Sequence, residues 1–175
     1  MRVITAPDRM SDTDTAINDP SLFVAGGITG TSNWQAEYLE MLGDVLGITA
    51  VNPRRPCFDA TDPSIAREQI QWEWEQLSRA DAVSFWFPKE TVCPITLYEL
   101  GVCTQETVLR ARYGRGMGYI NQELFVGVHP DYSRRIDVEI QTGLRLPRLK
   151  IVYSLADLAG QVKDWVYQGA GQVPY

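Results

Sequence analysis

The sequence predicts a three-layer α/β protein, in which a parallel sheet is covered by helices on both faces. Three observations lead to this prediction. Short apolar runs, typical of strands buried on both faces, recur along the 175 residues. Between them lie longer segments with apolar residues at helical spacing. The two kinds of segment alternate, which is the pattern of parallel strands joined by crossover helices.

The composition narrows the classes of function. A chain of 175 residues is long enough for one domain with a substantial core. Its net charge of −6 argues against a nucleic-acid polymer as partner, because neutralising phosphates requires a basic face. No apolar run approaches the roughly 18 residues that a membrane span needs. We therefore expect no nucleic-acid polymer and no membrane as partner, and the composition is compatible with a small-molecule ligand, such as an anion held by one or two arginines.

The cysteines and the histidine of the sequence indicate whether a metal-binding site is present and in which cellular compartment the protein lies. The cysteines Cys57, Cys93 and Cys103 form no C-x-x-C pair, and His129 is the only histidine. These residues offer no credible zinc set, and we predict no metal and no cofactor. An odd number of cysteines without a signal sequence predicts a cytoplasmic protein.

The first twenty residues are predicted to form an edge strand and an arm ahead of a single domain that spans 21–175. Residues Arg2–Ala6 are compatible with a short edge strand, whereas Pro7–Pro20 is rich in Asp, Ser, Thr and Asn and is typical of a loop. The first clear strand is Ser21–Ala25. We assign no chemistry to the arm.

Gly26 and Gly27 end that first strand. Paired glycines let the backbone approach a ligand closely, and the alternative is a tight strand-to-helix turn without a ligand. They do not complete the G-x-G-x-x-G fingerprint of dinucleotide-binding proteins. Both glycines are candidate substrate-binding residues.

A helix predicted over Trp34–Leu46 leads to a short strand, Thr49–Asn52. Asn52, Arg54 and Arg55 lie at the carboxyl end of this strand. Paired arginines can grip a phosphate or a carboxylate, and the alternative is that they are solvated. We take all three as candidate substrate-binding residues.

The next helix, Ser64–Ala80, carries Glu73 beside its apolar stripe. A buried strand, Ala82–Phe87, follows, and after a six-residue loop Pro94 begins another helix. Glu99 falls in the second turn of this helix, near the loop. In proteins with an open parallel sheet, ligands bind at the carboxyl ends of the strands, where the chain continues into such helices.

Glu99 is either a solvated charge on the helix surface or a reacting group. The helix around it is apolar nearly all round, as a buried helix is. Because an unpaired buried carboxylate is costly, its presence there favours the second interpretation.

The rest of the chain completes the alternation. It contains a helix to about Arg112, a strand over Leu124–Val128, a short helix over Ile136–Gly143, a strand over Lys150–Ser154 and a helix over Leu155–Gln168. Five strands with short right-handed crossovers predict a flavodoxin-like, doubly wound sheet in the order 2-1-3-4-5. This order puts the switch point between the first and third strands.

Several short segments together resemble one family. They are Phe-Val-Ala-Gly-Gly-Ile at 23–28, Asn-Pro-Arg-Arg at 52–55, Trp-Glu at 72–73, Ala-Asp-Ala-Val-Ser-Phe-Trp-Phe at 80–87 and Leu-Tyr-Glu-Leu-Gly at 97–101. In this order they resemble the nucleoside 2-deoxyribosyltransferase-like family. The resemblance covers roughly Ser21–Val128, and its most specific element is Glu-Leu-Gly.

The resemblance implies roles for individual residues. Glu99 matches the family's nucleophile, and Glu73 matches an acidic residue that positions the nucleophile or handles protons. Asp137 is the nearest match to a residue that reaches a neighbouring subunit's sugar. Cys93 stands where the better-characterised transferases carry an aspartate that contacts the base. The carboxyl-terminal Tyr175 matches an aromatic residue whose carboxylate completes a neighbour's site.

The implied activity is cleavage or exchange of the N-glycosidic bond of a (deoxy)nucleoside or nucleotide through a covalent glycosyl-glutamate. The alternatives are a nucleotide N-glycoside hydrolase, a non-catalytic nucleotide sensor, and an interaction domain that has lost the chemistry. The resemblance and exposed aromatics such as Trp72 predict a homo-oligomer.

Overall fold

The computed structural model describes residues 1–11, 19–56, 62–114 and 122–169. Within these ranges it contains six strands and five helices. The strands are β1 (Arg2–Thr5), β2 (Ser21–Gly26), β3 (Thr49–Asn52), β4 (Ala82–Phe87), β5 (Glu123–Val128) and β6 (Ile151–Val152). The helices are α1 (Trp34–Met41), α2 (Pro63–Arg79), α3 (Pro94–Tyr113), α4 (Arg135–Arg145) and α5 (Leu155–Tyr167).

The strands form one parallel sheet in the order β1-β3-β2-β4-β5-β6. The last five strands of this order reproduce the predicted 2-1-3-4-5 arrangement, so the flavodoxin-like fold is confirmed. The predicted strand count of five was wrong by one. Residues 2–5 add a sixth strand at the edge, with Arg2 opposite Thr49. An edge strand is compatible with the sequence here, but the predicted sheet did not count it, because it is short and its first two residues are exposed.

Helices cover both faces of the sheet and give two separate cores. On one face α1 and α5 pack around residues that include Trp34, Tyr38 and Leu158. On the other face α2, α3 and α4 pack through residues that include Trp72 and Leu100. The expectation that Trp72 is an exposed aromatic was wrong, because its side chain is buried in this core and only 1% exposed. All six residues of β4 are buried, because this central strand is covered on both sides.

The switch point lies between β2 and β4, which are neighbours in the sheet. After β2 the chain passes to α1 on one face, and after β4 it passes to α3 on the other. The two connections diverge and leave a crevice at the carboxyl ends of the strands. Both predicted carboxylates lie on helices that border this crevice.

The amino-terminal segment supports one of these helices. Trp72 on α2 donates a hydrogen bond from its indole N–H to the carbonyl of Asp8 at 2.7 Å. The backbone N–H of Met10 donates to Oε1 of Gln76 on the same helix at 2.9 Å. Trp72 and Gln76 lie on either side of Glu73 in the sequence. The segment after β1 therefore helps to fix the position of α2, the helix that carries Glu73. Residues 12–18 of the predicted loop lie outside the described residues.

Two predicted elements are shorter than expected. The first helix ends at Met41, and Val45 instead closes a turn by donating to the carbonyl of Leu42 at 3.0 Å. The last strand is limited to Ile151–Val152, where it pairs with β5. In the described ranges, no helix combines the length and the apolar character needed to cross a lipid bilayer.

Candidate active site

A cavity of about 350 Å³ opens at the carboxyl ends of β2 and β4, between α2 and α3. Most of its walls are apolar, formed by residues such as Phe23, Ile28, Pro53, Ile70 and Ile95. Few polar side chains interrupt these walls, as is usual in small-molecule sites. Six of the predicted site residues line it: Gly26, Gly27, Arg55, Glu73, Cys93 and Glu99.

Glu99 reaches the cavity from the second turn of α3, which begins at Pro94. Burial of the carboxyl group, and secondarily the negative charge of Glu73, raises the pKa of Glu99 to about 8. The Glu99 carboxyl group therefore holds a proton at neutral pH. A group that titrates close to neutrality can exchange that proton during a reaction.

Glu73 faces the same cavity from α2. Burial raises its pKa, while a hydrogen bond donated by Nε2 of Gln69 to Oε1 at 2.9 Å opposes the shift. Since Glu73 has this donor, it is the member of the pair that ionises first. Two neighbouring carboxyl groups in unequal environments can share one proton, which suits acid and nucleophile roles.

Gly26 and Gly27 lie so close to neighbouring atoms that a side chain at either position would clash. A Cβ on Gly26 would lie 2.3 Å from Cζ2 of Trp34 and 2.5 Å from the carbonyl oxygen of Trp86. A Cβ on Gly27 would lie 2.6 Å from Sγ of Cys93. Both positions thus permit tight packing of rigid side chains and backbone at the cavity floor, besides lining the cavity.

We expect Gly26→Ala to destabilise the fold by about 2–3 kcal/mol, because the added methyl group overpacks a site walled by an indole ring and a backbone carbonyl. Chemical denaturation measures this change. Gly160→Ala is the matched control, since no atom lies within 4 Å of its added Cβ and it is helical. The control is expected to be neutral or stabilising. Equal losses in both variants would contradict the packing explanation.

The paired arginines have different environments. Arg55 lines the cavity, and its Nη1 and Nη2 each donate to Oε2 of Glu68 at 3.1 Å. Arg54 is outside the cavity lining. Its guanidinium donates to the segment after β2 and to α1, at Gln35 Oε1, Ile28 O, Thr31 Oγ1 and Ser32 O. Arg54 therefore holds the loop that forms one cavity wall.

Asn52 is also outside the cavity lining. Its Oδ1 accepts a hydrogen bond from the backbone N–H of Arg54 at 3.0 Å, which shapes the turn at the end of β3. The direct roles of Asn52 and Arg54 in binding substrate stay predictions.

Cys93 immediately precedes α3 and has a left-handed backbone conformation, with φ of 49°. It is buried against Gly27, and burial raises the pKa of its thiol to about 11. Cys93 therefore presents a neutral thiol at neutral pH, where an aspartate would present a charge. Its proposed contact with a base stays a prediction.

Asp137 lies on α4, away from this cavity. Its carboxylate is exposed, 3.7 Å from Nη1 of Arg134, and it borders a shallow groove between α3 and α4. Asp137 is thus separate from the cavity that Glu99 lines. Tyr175, Cys57 and the glycine-rich segment 115–118 lie outside the described residues.

Sequence reasoning missed Gln69, which lines the cavity and bonds to Glu73. The available signal was its spacing, since residues four apart on a helix are neighbours. It also missed Thr91, which lines the cavity from the loop after β4.

Comparison with known proteins bears on this site. A family model described as nucleoside 2-deoxyribosyltransferase like matches residues 19–110, from just before β2 to near the end of α3. The matched region includes both carboxylates and the whole lining of the cavity. No curated protein matches the chain significantly.

Proposed function

The chain belongs to the nucleoside 2-deoxyribosyltransferase-like family, and on that premise we propose that it is an enzyme that cleaves or exchanges the N-glycosidic bond of a (deoxy)nucleoside or nucleotide. One observation carries the proposal: Glu73 and Glu99 line one largely apolar cavity, where burial raises both pKa values and a hydrogen bond from Gln69 opposes the shift at Glu73. This arrangement supplies both an acid and a nucleophile without a metal ion.

In the first step, an oxygen of Glu99 bonds to the anomeric carbon while the bond from that carbon to the base nitrogen breaks. The electron pair of the broken bond goes to the base, and the proton shared by Glu73 and Glu99 goes to that nitrogen. The products are a neutral base and a glycosyl ester of Glu99, with Glu73 ionised.

In the second step, a second base or a water molecule attacks the anomeric carbon and the ester bond breaks. Glu73 takes the proton from the attacking nitrogen or oxygen, which restores the singly protonated pair. Attack by a base makes the enzyme a transferase, whereas attack by water makes it a hydrolase.

Arg55 favours an anionic substrate, and with it the alternative of a nucleotide N-glycoside hydrolase. Its side chain is mostly buried beside the cavity, and its partner Glu68 is half exposed. A phosphate group of the substrate would compete with Glu68 for the guanidinium, which binds phosphate bidentately.

The test is intact-protein mass spectrometry after incubation with a 2′-fluoro-2′-deoxynucleoside and, separately, its 5′-monophosphate. The expected result is a mass increase of one fluorosugar, mapped by peptide sequencing to Glu99. Preferential trapping of the monophosphate, lost in Arg55→Gln, would support the nucleotide substrate. An adduct on another residue would contradict the mechanism.

A nucleotide sensor is the second candidate, and the raised pKa of Glu99 favours it. A neutral carboxyl group can donate a hydrogen bond to a ribose hydroxyl without reacting. Tight binding of nucleotides with neither an adduct nor released base after long incubation would support the sensor and exclude the enzyme.

We also propose a homo-oligomer. Exposed apolar residues on α4 recur at helical spacing, at Ile136, Ile140 and Leu144, beside Asp137 on the same helix. A contiguous exposed stripe of this kind is typical of an interface. Because Asp137 lies on this helix, the proposed interface would place it next to a neighbouring subunit, as the role implied by the resemblance requires.

Sedimentation velocity tests the oligomer. The double change Ile140→Asp and Leu144→Asp is expected to convert the oligomer to monomers, because charges would be buried at the interface. Leu46→Asp is the control, since Leu46 is 80% exposed and lies just after α1, which covers the opposite face. A wild-type monomer, or equal dissociation by the control, would contradict this interface.

A further inference from the structure

Gln69 is a cavity residue with one polar atom unaccounted for. It lies one helical turn before Glu73 on α2, and it is only 7% exposed. Its Nε2 donates to the carbonyl of Pro53 and to Oε1 of Glu73, each at 2.9 Å. Its Oε1 is buried and has no hydrogen-bond donor.

The orientation of the Gln69 amide follows from its partners. The carbonyl oxygen of Pro53 can only accept a hydrogen bond. If the amide were turned over, its oxygen would face the Pro53 carbonyl oxygen and that hydrogen bond would be lost. The two amide hydrogens of Gln69 therefore bond to groups of the protein, and the side-chain atom without a partner is the acceptor Oε1.

A buried acceptor without a donor is uncommon and costly. Among the described residues, three buried side-chain atoms lack a partner: Gln35 Nε2, Gln69 Oε1 and Gln161 Oε1. Of these residues, Gln69 alone lines the cavity that holds the two carboxylates, whereas Gln161 borders a different cavity. The carbonyl of Pro53 and the carboxyl group of Glu73 accept hydrogen bonds from the side-chain amide nitrogen of Gln69. No group of the described residues donates a hydrogen bond to its Oε1.

We propose that Gln69 is a specificity-determining residue whose Oε1 accepts a hydrogen bond from an O–H or N–H group of the bound nucleoside. The inference rests on the proposed function for the identity of the ligand. It adds that this ligand must present a donor inside the cavity. The donor is either a sugar hydroxyl or an amino or imino group of the base, and both sources share this chemistry.

The experiment measures dissociation constants by calorimetry for pairs of nucleosides that differ by one donor. The sugar arm compares adenosine with 2′-deoxyadenosine and with 2′,3′-dideoxyadenosine. The base arm compares 2′-deoxyadenosine with the analogue that lacks the 6-amino group, and 2′-deoxycytidine with the analogue that lacks the 4-amino group. The parent protein carries Glu99→Gln, which prevents turnover and is isosteric with the protonated acid.

In this parent, deletion of the recognised donor is expected to weaken binding about tenfold, as the Gln69 acceptor is then left unpaired. With Gln69→Met added, the two members of that pair are expected to bind equally. If Gln69 had a purely structural role, Gln69→Met would change the dissociation constants of all ligands by the same factor. The ratio of dissociation constants within each pair would then stay the same. The arm that shows the loss identifies sugar or base as the source of the donor.

Two outcomes would overturn the inference while the proposed function stands. One is binding in the parent that changes less than twofold for every deleted donor, a result that needs no variant of Gln69. The other is a ratio that persists unchanged in a Gln69→Met protein with normal thermal unfolding. Failure of every nucleoside to bind, with no adduct in the trapping experiment, would overturn both proposals.

Discussion

Replacing Glu99 with glutamine is expected to lower base release from a nucleoside substrate at least about a thousandfold, because the amide cannot form the glycosyl ester. The same variant is expected to be more stable than the wild type at alkaline pH. Single-turnover assays of base release and denaturation at several pH values measure the two effects.

The sign of the stability effect follows from the pKa of Glu99, which is raised from 4.5 to about 8 in the folded protein. The folded state binds the proton more tightly than the unfolded state, so this stability is present below pH 4.5 and is lost as pH rises through 8. Glu99→Gln removes that loss. We expect it to be more stable than wild type by about 2–4 kcal/mol at pH 8.5 and by little at pH 4.

Glu106→Gln is the matched control, because Glu106 lies two turns along the same helix and outside the cavity lining. It is expected to retain full turnover. Retained turnover in Glu99→Gln would show that Glu99 is not the nucleophile. If Glu99→Gln is less stable than the wild type at pH 8.5, the negative charge of the buried Glu99 carboxylate must be offset by other charges of the folded protein.

The second large effect is on the pH dependence of turnover. The proposed first step needs one proton on the Glu73–Glu99 pair, and the pair loses it as pH rises through about 8. We expect kcat/KM to fall above this pH by about tenfold for each unit. It is also expected to fall on the acid side, where Glu73 gains a proton and no nucleophile remains.

Carbon-13 NMR of the glutamate carboxyl groups measures the titration independently of turnover. Glu73→Gln is expected to lower the pKa of Glu99, because the negative charge of Glu73 is one of the two causes that raise it. An unchanged pKa of Glu99 in this variant would contradict the coupling between the two groups. Turnover that stays constant from pH 7 to pH 10 would contradict the requirement for a shared proton.

Much of the fold could be predicted because the signals are local. The apolar runs of β2, β4 and β5 have the length and composition of buried parallel strands, and longer helical segments separate them. The alternation of these elements limits the topology to a few right-handed arrangements, of which the flavodoxin-like order is one. The edge strand β1 was underestimated since four residues carry little periodicity.

The sequence by itself determined the layered fold and the place of the switch point, since spacing along a strand or helix shows which end of the sheet a residue occupies. It offered Glu99 as a candidate through its place in the second turn of a helix, and Glu73 through the family resemblance. Only the tertiary structure decided which arginine faces the cavity, because Arg54 is engaged by residues about twenty positions earlier. It likewise revealed the free acceptor of Gln69 and the crowding around Gly26. These properties depend on side chains distant in sequence, whose contacts local periodicity does not encode.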